Sequence, residues 1–131
     1  MKILRILCLC VILFEACSAP VDREKLTGTW DYIKIENLNP ASQDSTTSAD
    51  LKAARPFIRF TEANELLIYW SGKVLSSGTY HIDGSMIRYK ENLPGGNQRE
   101  FPFLVKTLTD SQLVFETMSR EGTRVFTKKK K

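Results

Sequence analysis

From Pro56 onward the chain repeats a single pattern: a short run rich in β-branched and aromatic residues, then a turn. FIRFTE stops at Ala63-Asn64, ELLIYW at Ser71-Gly72, LSSGTYHI at Asp83-Gly84 and MIRYKEN at LPGGN. REFPFLVKTL stops at Thr109–Ser111, QLVFETMS at Glu121-Gly122, and TRVFTKK ends the series. Gly, Asn, Asp and Ser punctuate strands because they tolerate turn dihedrals that other residues resist. Together with LTGTWDYIKIE at 26–36, the strand candidates number eight. Connections after the first are short, so sequence neighbours should be antiparallel neighbours in space. Helix is poorly supported after residue 56, because turns recur too often.

Alternation supports the same reading. Tyr80 and Ile82 share a strand face while Thr79 and His81 take the other, and Ile87 and Tyr89 oppose Arg88 and Lys90. Pro102 inside FPFLV marks an edge, a bulge or a strand start. Eight antiparallel strands in meander order can close on themselves, which removes exposed edges. The expected fold is all-β, an eight-stranded antiparallel up-and-down β-barrel over residues 26–131. A two-sheet sandwich is the alternative, but it needs longer crossing connections. An eight-stranded barrel is just wide enough to be filled by side chains or to hold one small ligand. Candidates for its interior are Phe60, Ile68, Trp70, Tyr80, Ile82, Tyr89, Phe103, Val105, Leu113, Phe115 and Phe126.

The N-terminal stretch MKILRILCLCVILF carries Lys2 and Arg5 ahead of an apolar run. This is the organisation of a signal peptide, expected over residues 1–16, with an apolar run too short to anchor stably as a span. The stretch Phe14-Glu15-Ala16-Cys17 resembles the lipobox of bacterial lipoproteins, departing from it at Phe14 and Glu15. The resemblance implies lipidation of the Cys17 thiol and cleavage before it. The competing reading is a plain secreted protein with one spare thiol. Cys8 and Cys10 leave with the signal peptide, so no cysteine pair remains to staple the domain and a packed or closed sheet must stabilise it. Residues 17–25 read as a polar tether. Residues 37–56 are rich in Ser, Thr, Asn and Asp and read as a long first loop, with a helical turn at 49–54 after a Ser48 cap.

The chain carries a formal charge of +4. Much of the excess lies in Lys128–Lys131, a solvated tail in the simplest reading, or a contact with anionic lipid in a sharper one. No basic stripe marks the body of the domain, so nucleic acid is not an expected partner. Little points to chemistry. The sole histidine, His81, falls on a polar strand face. The carboxylates Glu62, Glu65, Glu91, Glu100 and Glu116 are scattered over turns and polar faces. No metal-binding spacing, phosphate-cradling loop or cofactor motif is present. Neither a cofactor nor a catalytic residue is expected, and the chain is not read as an enzyme.

Gly28-Thr29-Trp30 at the start of the first strand resembles the G-x-W signature of lipocalins. The long first loop, the meander and a basic residue on the last strand match as well. The chain is similar, more closely, to small lipocalin-like domains of bacterial surface lipoproteins, through Leu26-Thr27-Gly28-Thr29-Trp30, Gly78-Thr79-Tyr80 and Gly84-Ser85-Met86-Ile87. It is short for a lipocalin and lacks a disulfide. The resemblance implies that Trp30 seals one end of the barrel, that Gly28 lets the chain turn in beside it, and that Arg124 packs across its face. It also implies a small hydrophobic ligand, for which Phe60, Trp70, Tyr80, Tyr89, Phe103 and Phe115 are the candidate contacts. The expected function is that of an exported, lipid-anchored binding protein of a bacterial envelope, monomeric and placed at the outer membrane. The alternative is a protein-interaction module, inhibitor or envelope subunit with a filled barrel.

Overall fold

The structure is a computed structural model that describes residues 19–39, 46–117 and 122–131. The expected signal peptide and the lipidation candidate Cys17 lie outside the described residues. The chain forms α1 (Arg23–Leu26), β1 (Gly28–Asn37), α2 (Ser48–Ala54), β2 (Phe57–Phe60), β3 (Glu65–Trp70) and β4 (Lys73–Asp83). It continues through β5 (Met86–Asn92), a 3₁₀ turn (Pro94–Gly96), β6 (Gln98–Leu108), β7 (Gln112–Thr117) and β8 (Thr123–Lys129). The eight strands form a closed antiparallel barrel in sequence order, with β1 paired to β8. The meander is therefore as expected, and the sandwich is not formed.

Local chemistry explains most boundaries. Helix α2 starts one residue earlier than its sequence suggests. Thr47 caps it, accepting from Asp50 N at 3.1 Å, while the Asp50 carboxylate accepts from Thr47 N at 2.8 Å. The β4–β5 hairpin also shifts by one: Asp83 pairs with Met86, so Gly84-Ser85 form the two-residue loop. Pro102 pairs with Arg88 of β5, but the ladder to β7 starts only at Phe103 among the described residues.

Three bulges change which residues face inward. Register shifts fall between Tyr32 and Lys34 in β1, beside Leu75 in β4, and between Val105 and Thr107 in β6. After the first bulge Ile35, not Lys34, joins the inner face begun by Trp30 and Tyr32. On β8 the inner residues are Val125 and Thr127, both buried. Phe126, expected inside, is on the outer face, with Lys34 Nζ 5.4 Å from its ring centre.

The closed end is built around Trp30, which is fully buried. Its indole N–H donates to the Leu26 carbonyl at 2.8 Å. Residues 19–25, expected as free tether, instead fold across this end. Val21 N donates to the Gly84 carbonyl at 2.9 Å, Asp22 caps α1, and Leu26 is sealed beneath the barrel. Two apolar residues flanking a capped turn give this segment burial that a solvated tether would forgo.

The cation over Trp30 is Lys129, not Arg124. Lys129 Nζ lies 5.2 Å from the indole ring and donates to the Lys25 carbonyl at 3.2 Å. Strand parity gives the reason: Trp30 pairs with Lys129, whereas Arg124 pairs with Glu36 on the opposite face. There Arg124 bridges Glu116 at 3.1 Å and Glu36 at 3.4 Å. Gly28 occupies its expected place with φ +136°, and a β-carbon there would come within 3.0 Å of Lys129 Cε. Only glycine both adopts that dihedral readily and leaves room for the lysine stem.

Candidate functional site: a cup at the open end

The barrel interior divides into two halves. Toward Trp30 it is filled by Leu26, Phe60, Leu66, Ile87 and Leu113, each buried. Toward the opposite end it opens into a cup of about 900 Å³. The floor and walls are Tyr32, Ile35, Ile68, Phe103, Phe115 and Val125. Trp70, Leu75 and Phe101 rise toward the mouth, which Thr46, Arg99, Glu100, Thr117 and Thr123 surround. Helix α2 lies beside this mouth, since Ser71 N donates to the Ala54 carbonyl at 2.8 Å next to Trp70.

Three of the six expected ligand contacts line the cup: Trp70, Phe103 and Phe115. The other three do not. Phe60 and Tyr80 meet edge to face at 5.3 Å within the filled half. Their positions follow from register, because Phe60 pairs with Gly28 at the start of β1. Tyr89 is buried behind the wall, stacked on Phe103 at 5.8 Å and edge-on to Phe101 at 5.2 Å. It supports the lining rings rather than contacting the space they enclose.

Sequence reasoning missed Tyr32, Ile35, Phe101 and Arg99. Tyr32 and Phe101 were legible by parity, two residues from Trp30 and Phe103 respectively. Ile35 was not, because the bulge that turns it inward has no sequence mark. Arg99 sits in the cup mouth through its contacts. Its guanidinium lies 5.3 Å from the Phe101 ring and Nε donates to Glu91 Oε1 at 2.7 Å.

One wall carries a buried polar relay. Glu91 is buried inside the barrel, where Ser76 Oγ donates to its second carboxylate oxygen. Ser76 Oγ also bonds the Tyr89 hydroxyl at 2.6 Å. Burial raises the Tyr89 pKa, and the Glu91 carboxylate adds to the rise, partly offset by the Ser76 bond and by Arg99. Burial likewise pushes the Tyr32 phenol up, with the nearby Tyr89 contributing. Both phenols are therefore neutral at physiological pH. His81 is exposed on the outer face opposite Arg88. Among the described residues there is no cluster of His, Cys, Asp and Glu suited to a metal ion.

The same eight-stranded architecture occurs in solved proteins. A protein of unknown function from Bacteroides eggerthii superposes with a TM-score of 0.54 at 19% identity, covering 80% of this chain and 99% of that one. A lipocalin-like protein from Bacteroides uniformis superposes with a TM-score of 0.52 at 18% identity, covering 81% of this chain and 99% of that one. The fold is lipocalin-like. No family model and no curated protein matches the chain. In this lipocalin-like barrel the G-x-W residues stand at the closed end, and the cup lies at the other.

The tyrosine shifts predict a pH dependence. A phenol whose pKa is raised in the folded state stabilises the fold fully below its unfolded value of 10.0. That contribution is lost as pH rises through the folded value, because the unfolded chain ionises first. Denaturant unfolding should show stability falling above about pH 10. Tyr32→Phe should blunt that fall while leaving the neutral-pH midpoint little changed. An alkaline limb identical to the parent's would contradict the burial of Tyr32.

Proposed function

We propose that the chain is an exported, lipid-anchored binding protein that holds a small hydrophobic molecule in the open half of its barrel. The observation that carries this reading is the cup. Its volume of about 900 Å³ suits a small molecule, and its surface is largely aromatic and aliphatic. A barrel serving only as a scaffold for protein contacts gains nothing from leaving this space unfilled, because filling it would add apolar burial. The polar mouth and the rigid closed end favour a ligand that enters past α2 and stops on Tyr32 and Phe115.

Anchoring rests on the sequence of residues 1–17 and is a separate part of the reading. Acylation at Cys17 would tie the domain to a bacterial envelope membrane through a segment only a few residues from the closed end. The cup mouth would then face away from the attachment point.

Two measurements test these parts independently. An apolar naphthalene fluorophore titrated into the protein should show saturable enhancement, and Phe115→Glu should weaken its binding at least about tenfold by placing a charge on the apolar floor. Linear, unsaturable enhancement would count against a ligand site. In cell fractionation, Cys17→Ser should move the protein from the membrane pellet to the soluble exported fraction. Retention in the pellet would count against the lipid anchor.

A further inference from the structure

The polar selectivity of the cup depends on which of its hydroxyls are already satisfied. The chain has four tyrosines. The Tyr80 hydroxyl reaches the Thr61 carbonyl at 3.4 Å in the filled half. The Tyr89 hydroxyl is engaged by Ser76. Tyr69 stands outside the barrel, stacked on Phe57 at 4.4 Å. Tyr32 lines the cup, and its hydroxyl has no hydrogen-bond partner among the described residues. Its ring is held edge-on to Phe115 at 6.4 Å. Tyr32 is also deep: on β1 it is two residues from the Trp30 plug, and its partner on β8 is the fully buried Thr127.

We propose that Tyr32 is a specificity-determining residue, which selects amphiphiles that carry an uncharged hydrogen-bond acceptor, a carbonyl or ether oxygen, at the end entering the cup first. This rests on the ligand-binding reading above. A ligand without such an atom would strip water from the phenol and leave a donor dry in an apolar floor, which is unfavourable. A ligand with one restores the bond the water made. The charge distribution argues against an anionic leading end. Among the described lining residues the cation is Arg99, which sits at the mouth and is committed to Glu91 at 2.7 Å. A carboxylate at the depth of Tyr32 would be desolvated without a counter-charge. The raised phenol pKa keeps the hydroxyl a donor throughout the physiological range.

The test compares two fluorophores of matched shape, 6-propionyl-2-(dimethylamino)naphthalene and its 6-propyl analogue, which lacks the carbonyl. Each is titrated into the full chain in detergent and into Tyr32→Phe, with Tyr89→Phe as a second variant. Tyr32→Phe should weaken binding of the ketone by about 5- to 100-fold. It should leave the propyl compound's affinity equal or improved. Tyr89→Phe should leave the preference for the ketone intact, since that hydroxyl serves the wall. Equal effects of Tyr32→Phe on both compounds, or the same loss in Tyr89→Phe, would overturn the assignment to Tyr32 while leaving a ligand site in place. Absence of saturable binding by either compound to the parent protein would reject the ligand-binding reading and this inference with it.

Discussion

The barrel depends on the seal at Trp30. A closed sheet has two open ends, and each would expose apolar interior unless covered. Here one indole fills the end, bonded to the Leu26 carbonyl and covered by the Lys129 stem. Magnitudes rank these contributions. Deleting a buried aromatic side chain costs about 3–5 kcal/mol, whereas a cation over a ring adds about 0.5–2 kcal/mol. Burial of the ring therefore dominates, and the lysine refines it. The lysine has a further role, since its bond to the Lys25 carbonyl ties α1 to the last strand. The helix ahead of β1 and the last strand are thereby fastened at the same point.

That seal also decides where open space remains inside the barrel. With Trp30, Phe60, Leu66 and Leu113 packed at one end, the remaining volume lies wholly toward the other. The buried Glu91, Ser76 and Tyr89 relay stiffens the adjoining wall without disulfides. A fully satisfied polar network inside a barrel costs desolvation but fixes one arrangement of the strands that carry it. In this case it fixes Phe101 and Phe103 against Tyr89, so the aromatic wall of the cup is held in one arrangement.

Much of the fold was legible in the sequence because its determinants are local. Turn residues and two-residue alternation gave eight strands, their order and their antiparallel sense. The placement of Trp30 was legible too. What escaped depends on long-range pairing. Arg124 and Lys129 are both basic residues of one strand, and only their parity relative to Trp30 separates them. Ile35 turns inward because of a bulge at Ile33, and Phe126 faces outward because Val125 and Thr127 take the inner face of β8. Phe60, Tyr80 and Tyr89 share an inner face with the cup residues, yet height along the barrel axis, set by register, puts them below or behind it. Residues 19–25 look polar in isolation, and their docking depends on a surface that exists only once the barrel has closed.

The central claim is that Trp30 is sealed inside the closed end. The chain has two tryptophans, and Trp70 can be replaced by Phe to leave Trp30 as the sole indole fluorophore. In Trp70→Phe the account predicts short-wavelength emission that iodide does not quench until denaturant unfolds the protein. Long-wavelength emission quenched by iodide in the native state would contradict it.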